Sequence, residues 1–182
     1  MLYDLELINQ LSQEIGFSSV IQSAMLVKIQ LSPDMVLCFQ NSEKDEDCLV
    51  GFEGTPWHTH DDFIFSNAQG MFVELNYLDI ISGLNDGQVL VCDRLSSGKL
   101  ADRWLIHRDY NDFNDEFKYM TAGEELKVIR VEVISKWERL PLRSSGTRQK
   151  RGAPQLYVEA VEKLDFTSAD KFLYNKFREL QI

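Results

Sequence analysis

The sequence predicts an α+β fold, an antiparallel sheet of about five to six strands with flanking helices, and three observations carry that expectation. Apolar residues recur at helical spacing in separate stretches near the start and the middle of the chain. Between and after those stretches, apolar and polar residues alternate with the period of two that marks a half-buried strand. The 182 residues, 44% hydrophobic and 26% charged, match one globular domain spanning 1–182 and leave no room for a second.

The first helix is read from Leu5, Ile8, Leu11 and Ile15, lying between the capping residue Asp4 and the stop signal Gly16. In AMLVKIQL, Met25, Val27, Ile29 and Leu31 alternate with Leu26, Lys28 and Gln30, so a strand follows. Ser32, Pro33 and Asp34 then turn the chain. Residues 35–40 and 48–53 supply two further strands around the polar run NSEKDED, which makes a three-strand antiparallel meander the economical arrangement. After the loop GTPWHTHDD, the residues Phe72, Leu75, Leu78, Ile81 and Leu84 predict a second amphipathic helix, closed by NDG.

QVLVCD and KLADRWLIH, separated by SSG, read as a hairpin. Ile129, Val131 and Val133 alternate with Arg130 and Glu132 in a strand expected to pair with that hairpin. Residues 139–152, RLPLRSSGTRQKRG, hold five basic residues and no acid, and are expected to form a flexible, exposed loop. QLYVEAVEKL fits strand and helix equally. Thr167 and Asp170 resemble a capping box ahead of a terminal helix carrying Phe172, Leu173, Phe177 and Leu180.

Asp and Glu total 29 against 19 Lys and Arg, a net charge of −10, which opposes general binding to nucleic acid or anionic lipid and favours a basic partner. No window approaches the roughly 20 apolar residues a bilayer span requires, and Asp4 and Glu6 stand where a secretory signal would be positive, so a cytoplasmic location is expected. Cys38, Cys48 and Cys92 lack paired spacing and sit in apolar runs, as small buried hydrophobes do.

Trp57-His58-Thr59-His60-Asp61-Asp62 is the most conspicuous segment for chemistry. On an extended backbone His58, His60 and Asp62 project from one face, a set suited to zinc or iron with His107 or Asp61 completing the shell. The metal-binding families that use HxH each fail at a definite point. The HxHxDH signature of metallo-β-lactamases meets Phe63 where its last histidine belongs; the barrel of amidohydrolases needs about 250 residues; the cupin glutamate falls on Ile64 and Phe65. The expectation is therefore no cofactor and an ordered loop in which Trp57 anchors to the core while His58 and His60 bond to backbone groups. Neither a nucleophile elbow nor a phosphate-cradling glycine motif occurs.

The span HRDYNDFNDEFKY interleaves Tyr110 and Phe113 with Asp109, Asp112, Asp115 and Glu116, the composition of a hot-spot surface for a basic protein. GTPWHTHDDF, the helix after it, DGQVLV and RWLIHRDY together resemble a class of small bacterial proteins of uncharacterised or immunity-protein type, over about residues 48–110. That resemblance implies a short meander, the histidine loop, a helix and another strand, with an antitoxin-like or accessory binding role in the bacterial cytoplasm. The expected function is a protein-binding module that neutralises a basic toxin or nuclease, with a metal-dependent enzyme built on His58, His60 and Asp62 as the alternative.

Overall fold

The computed structural model describes residues 2–42, 47–60, 63–67, 69–110, 123–137 and 149–163. Helix α1, Leu5–Ile15, begins where the Asp4 carboxylate accepts the Leu7 N–H at 3.0 Å and ends at Gly16, whose left-handed backbone returns its N–H to the Ser12 carbonyl. Its buried stripe, Leu5, Ile8 and Ser12, rests on the sheet beneath. The chain ahead of α1 is held by Asn41, whose side chain both accepts the Tyr3 N–H and donates to the Tyr3 carbonyl at 2.9 Å.

Strands β1 (Ser18–Ser23), β2 (Leu26–Ser32), β3 (Met35–Ser42), β4 (Asp47–Phe52) and β5 (His58–His60) form a five-stranded antiparallel sheet in sequence order. The meander predicted from sequence is its centre. The added strands at its two edges come from SSVIQS, which has almost no apolar alternation, and from the histidine segment itself. Strands β6 (Phe63–Ser66) and β7 (Phe72–Leu75) make a separate two-stranded hairpin.

Helix α2 covers Tyr77–Asp86, which corrects the sequence expectation that it begins at Phe72. Asn76 accepts the N–H groups of Leu78 and Asp79, and Asp79 accepts the Asn76 N–H in return, so a full capping box fixes the start. Phe72 and Leu75 share a helical period with Leu78 and Ile81 yet lie upstream of that cap, in β7.

Strands β8 (Val89–Ser96), β9 (Lys99–His107), β10 (Glu124–Trp137) and β11 (Gln149–Lys163) form a four-stranded antiparallel sheet in the order β11-β10-β8-β9. The predicted hairpin is β8–β9, and the predicted strand at Ile129 pairs with β8 as expected. At the end of the chain one expectation is corrected and one open choice is decided. Gln149 pairs with Trp137, so residues 149–152 belong to β11 rather than to an exposed loop, and QLYVEAVEK is strand. Pairing with β10 over a long antiparallel register decides both points, a long-range cause that local composition does not carry. The remainder of the basic stretch, 139–148, and the expected terminal helix lie outside the described residues.

Both helices and the inward faces of the two large sheets share one buried cluster, including Ile8, Val27, Ile29, Leu37, Phe39, Val50, Ile81, Val91, Ile129 and Val131. One ion pair is built into that interface. Arg103 on β9 donates Nε and Nη2 to the Asp93 carboxylate on β8 at 2.6 and 2.8 Å, and Nη1 to the Asp34 carbonyl in the β2–β3 turn at 3.1 Å. Its guanidinium also lies over the Phe52 ring. The pair is almost wholly buried, so each charge depends on the other. Among the described residues, no helix is long and apolar enough to cross a membrane.

Candidate functional site

The histidine segment is a strand because β4 offers it a free edge and a place to approach. Leu49, Val50 and Gly51 pair with His60, Thr59 and His58. Gly51 permits the contact: a Cβ there would lie 2.9 Å from the Trp57 carbonyl oxygen and 3.3 Å from the His58 Cβ. The predicted alternation is realised, with Thr59 half-buried while His58 and His60 are exposed on the outer face. Trp57 packs at the edge of the core with its ring 6.1 Å from Phe52, and its backbone N–H donates to the Asp102 carboxylate on β9 at 3.1 Å. Trp57 thus anchors the segment to the core, as expected from sequence, but His58–His60 form a paired strand where a loop was expected.

The two imidazoles lie side by side, with ring centroids 5.5 Å apart. His58 Nδ1 is 3.1 Å from the Pro56 carbonyl oxygen, and His60 Nδ1 is 2.8 Å from Asp47 Oδ2. Both oxygens only accept, so each Nδ1 carries a proton, and in the neutral form of either ring the lone pair lies on Nε2. The hydrogen bond from His60 holds the Asp47 carboxyl below the usual carboxylate range. The expected backbone partner is found for His58; for His60 the partner is a carboxylate. Asp47, four strand positions before Gly51, went unnoticed because its role depends on the β4–β5 register.

Among the described residues, no three His, Cys, Asp or Glu side chains converge on a common point where a metal ion would sit. His107, expected as a possible completing ligand, is instead buried at the end of β9. Its ring packs against Phe65 and Tyr110, at centroid distances of 5.9 and 5.2 Å, and its Nδ1 accepts the Asp109 N–H. Burial pushes the His107 imidazole below the ordinary histidine value. Asp62 lies outside the described residues.

A second surface adjoins His107. On the β6–β7 hairpin, Phe63, Phe65 and Leu75 turn toward the core, while Ile64, Ser66, Phe72 and Glu74 are exposed. Ile64 is 58% exposed, Phe72 66% and Met71, beside the turn, 56%. Asn67 fixes that turn by accepting the N–H groups of Gln69 and Met71 through its side chain. The tilted and edge-on ring contacts of Phe65, His107 and Tyr110 tie the hairpin to Asp109 and Tyr110, the first residues of the acidic, aromatic segment. Asp112, Phe113, Asp115 and Glu116 lie outside the described residues. Sequence reading missed the apolar trio because it placed Phe72 on the buried stripe of α2. The signal that would have found it is the strand-turn-strand pattern of FIFSNAQGMFVEL.

The fold and these two surfaces define an acidic α+β protein with a histidine-bearing sheet edge and an apolar hairpin. The chain matches no protein-family model, no curated protein and no solved structure.

Proposed function

We propose that this chain is a protein-binding module for a basic protein, of the immunity type that neutralises a toxin or nuclease in a bacterial cytoplasm. One observation carries the reading: Ile64, Met71 and Phe72 stand exposed together on a hairpin whose other face is fastened to the core. Large apolar side chains held rigidly in water supply the desolvated centre of an interface at small entropic cost. The net charge of −10 selects the occupant, because it steers a cationic surface inward and repels an acidic one. Glu74 on the exposed face and Asp109 beside Tyr110 place acids next to the apolar contact.

The test is site-specific photo-crosslinking from position 72 in the source cell, followed by binding kinetics with the purified crosslinked protein. A basic partner is expected, with an association rate that falls as salt rises and an affinity lost in Ile64→Asp and Phe72→Asp. Equal binding by those variants, or a rate indifferent to salt, refutes the reading. Sedimentation of the chain alone gives a second check: a dimer dispersed by Phe72→Asp would mean that the patch seats another copy of this chain, and the basic-partner reading would fall.

A further inference from the structure

The geometry of the β5 edge points to a site of its own. We propose that His58 and His60 form a two-imidazole site for an exchangeable divalent transition-metal ion, Cu(II) foremost, with Ni(II) and Zn(II) as weaker occupants.

Metal-binding histidines characteristically donate their second ring N–H to a carboxylate or a backbone carbonyl, which sets the tautomer and leaves the other nitrogen free to coordinate. Both histidines have that arrangement here. Pro56 O holds His58 Nδ1 and Asp47 Oδ2 holds His60 Nδ1, and neither Nε2 has a hydrogen-bond partner among the described residues. The rings are neighbours at 5.5 Å on one face of one strand, so a single ion can span them.

The platform is prepared in advance. β5 is paired to β4, Gly51 lets the two strands close, and the Trp57 N–H is fixed on Asp102, so binding orders little that is not already ordered. Both rings are exposed, which gives an ion direct access and leaves its remaining coordination positions to water. The Asp47 carboxylate acts through His60: it is a positioning residue that fixes the orientation and tautomer of the ring and adds local negative charge. With two protein ligands and no third among the described residues, the site exchanges its ion with solution and is unlike a closed structural centre. Imidazole nitrogen ranks divalent ions in the Irving–Williams order, which puts Cu(II) above Ni(II) and Zn(II).

The experiment titrates the full chain with Ni(II) by calorimetry and with Zn(II) while the histidine side-chain nitrogens are followed by NMR. One equivalent is expected to bind, shifting the Nε2 signals of His58 and His60 together and leaving that of His107 in place. His58→Gln and His60→Gln should each lower affinity to the level of the double variant. Asp47→Ala should weaken binding about 10- to 100-fold, and Asp47→Asn, whose amide oxygen still accepts, should restore part of it. Cys38→Ser, a change at the half-buried thiol of β3, should leave binding unchanged. Far-UV circular dichroism confirms that each variant is folded. Affinity retained in the double variant, a shift of one histidine without the other, or loss of binding in Cys38→Ser overturns the proposal.

Discussion

The two large sheets treat their outer faces in opposite ways. On the five-stranded sheet, β2, β3 and β4 alternate between buried positions and half-buried or exposed ones, so Lys28, Cys38 and Leu49 face outward while Val27, Leu37 and Val50 face the core. On the four-stranded sheet, Val89 to Asp93 are buried without a break, and the outward set of Leu90, Cys92, Trp104, Ile106, Leu126 and Val128 forms an apolar cluster of its own. Both are antiparallel sheets with the same backbone geometry. The difference teaches that an alternating sequence reports one wetted face, whereas a continuous apolar run reports a strand covered on both sides.

The largest test of that contrast is the ion pair on the inner face of β8 and β9. Asp93→Asn leaves the Arg103 guanidinium buried without its counter-charge and should cost about 3–5 kcal/mol in urea unfolding. The Lys28–Glu53 pair, 2.6 Å long on the outer face of the five-stranded sheet, is partly to largely exposed. Its removal by Glu53→Gln should leave the urea midpoint essentially in place, because water replaces what the pair supplied. Comparable losses in the two variants would mean that burial is not what separates the sheets.

The next test compares the outward faces directly. Leu90 is fully buried and Leu90→Ala should cost about 2–5 kcal/mol, while Val20, 57% exposed on β1, should change stability by less than about 0.5 kcal/mol as Val20→Ala. A small effect at Leu90 would show that the outer cluster of the four-stranded sheet is loosely packed.

The smallest effect is a pH dependence at His107, where β9 meets the hairpin. Burial lowers its folded value, so the unfolded chain takes up the proton more readily. Its contribution to stability is therefore complete above the ordinary histidine value of about 6.5 and falls away as pH descends from there through the folded value. The slope is at most about 1.4 kcal/mol per pH unit for one proton. His107→Asn, whose side-chain oxygen can still accept the Asp109 N–H, should flatten that part of the stability profile. An unchanged slope would place the titration elsewhere.

The legible parts of the molecule are those governed by neighbours in sequence. Leu5, Ile8, Asp4 and Gly16 specify α1 within one turn of themselves, and the β2–β3–β4 meander and the β8–β9 hairpin follow from local alternation and short turns. Period two also placed His58 and His60 on one face. Two features were misread. Phe72 fits a helical stripe, but the Asn76–Asp79 capping box, visible in the letters NYLD, outranks periodicity at a helix start. Residues 149–152 have the composition of a loop, yet their partners on β10 make them strand.

Sequence by itself determined the α+β class, the negative charge, the helix limits set by Asp4, Gly16 and Gly87, and the pairing of the two histidines, because each depends on residues within a few positions or on a simple sum. Tertiary structure decided which sheet faces are covered, that Arg103 joins β9 to the β2–β3 turn, that Asp47 orients His60, and that Ile64 and Phe72 face water. Those outcomes rest on register and on contacts between distant segments. A strand's own residues specify the two faces it has, but what lies against each face is chosen by the rest of the chain.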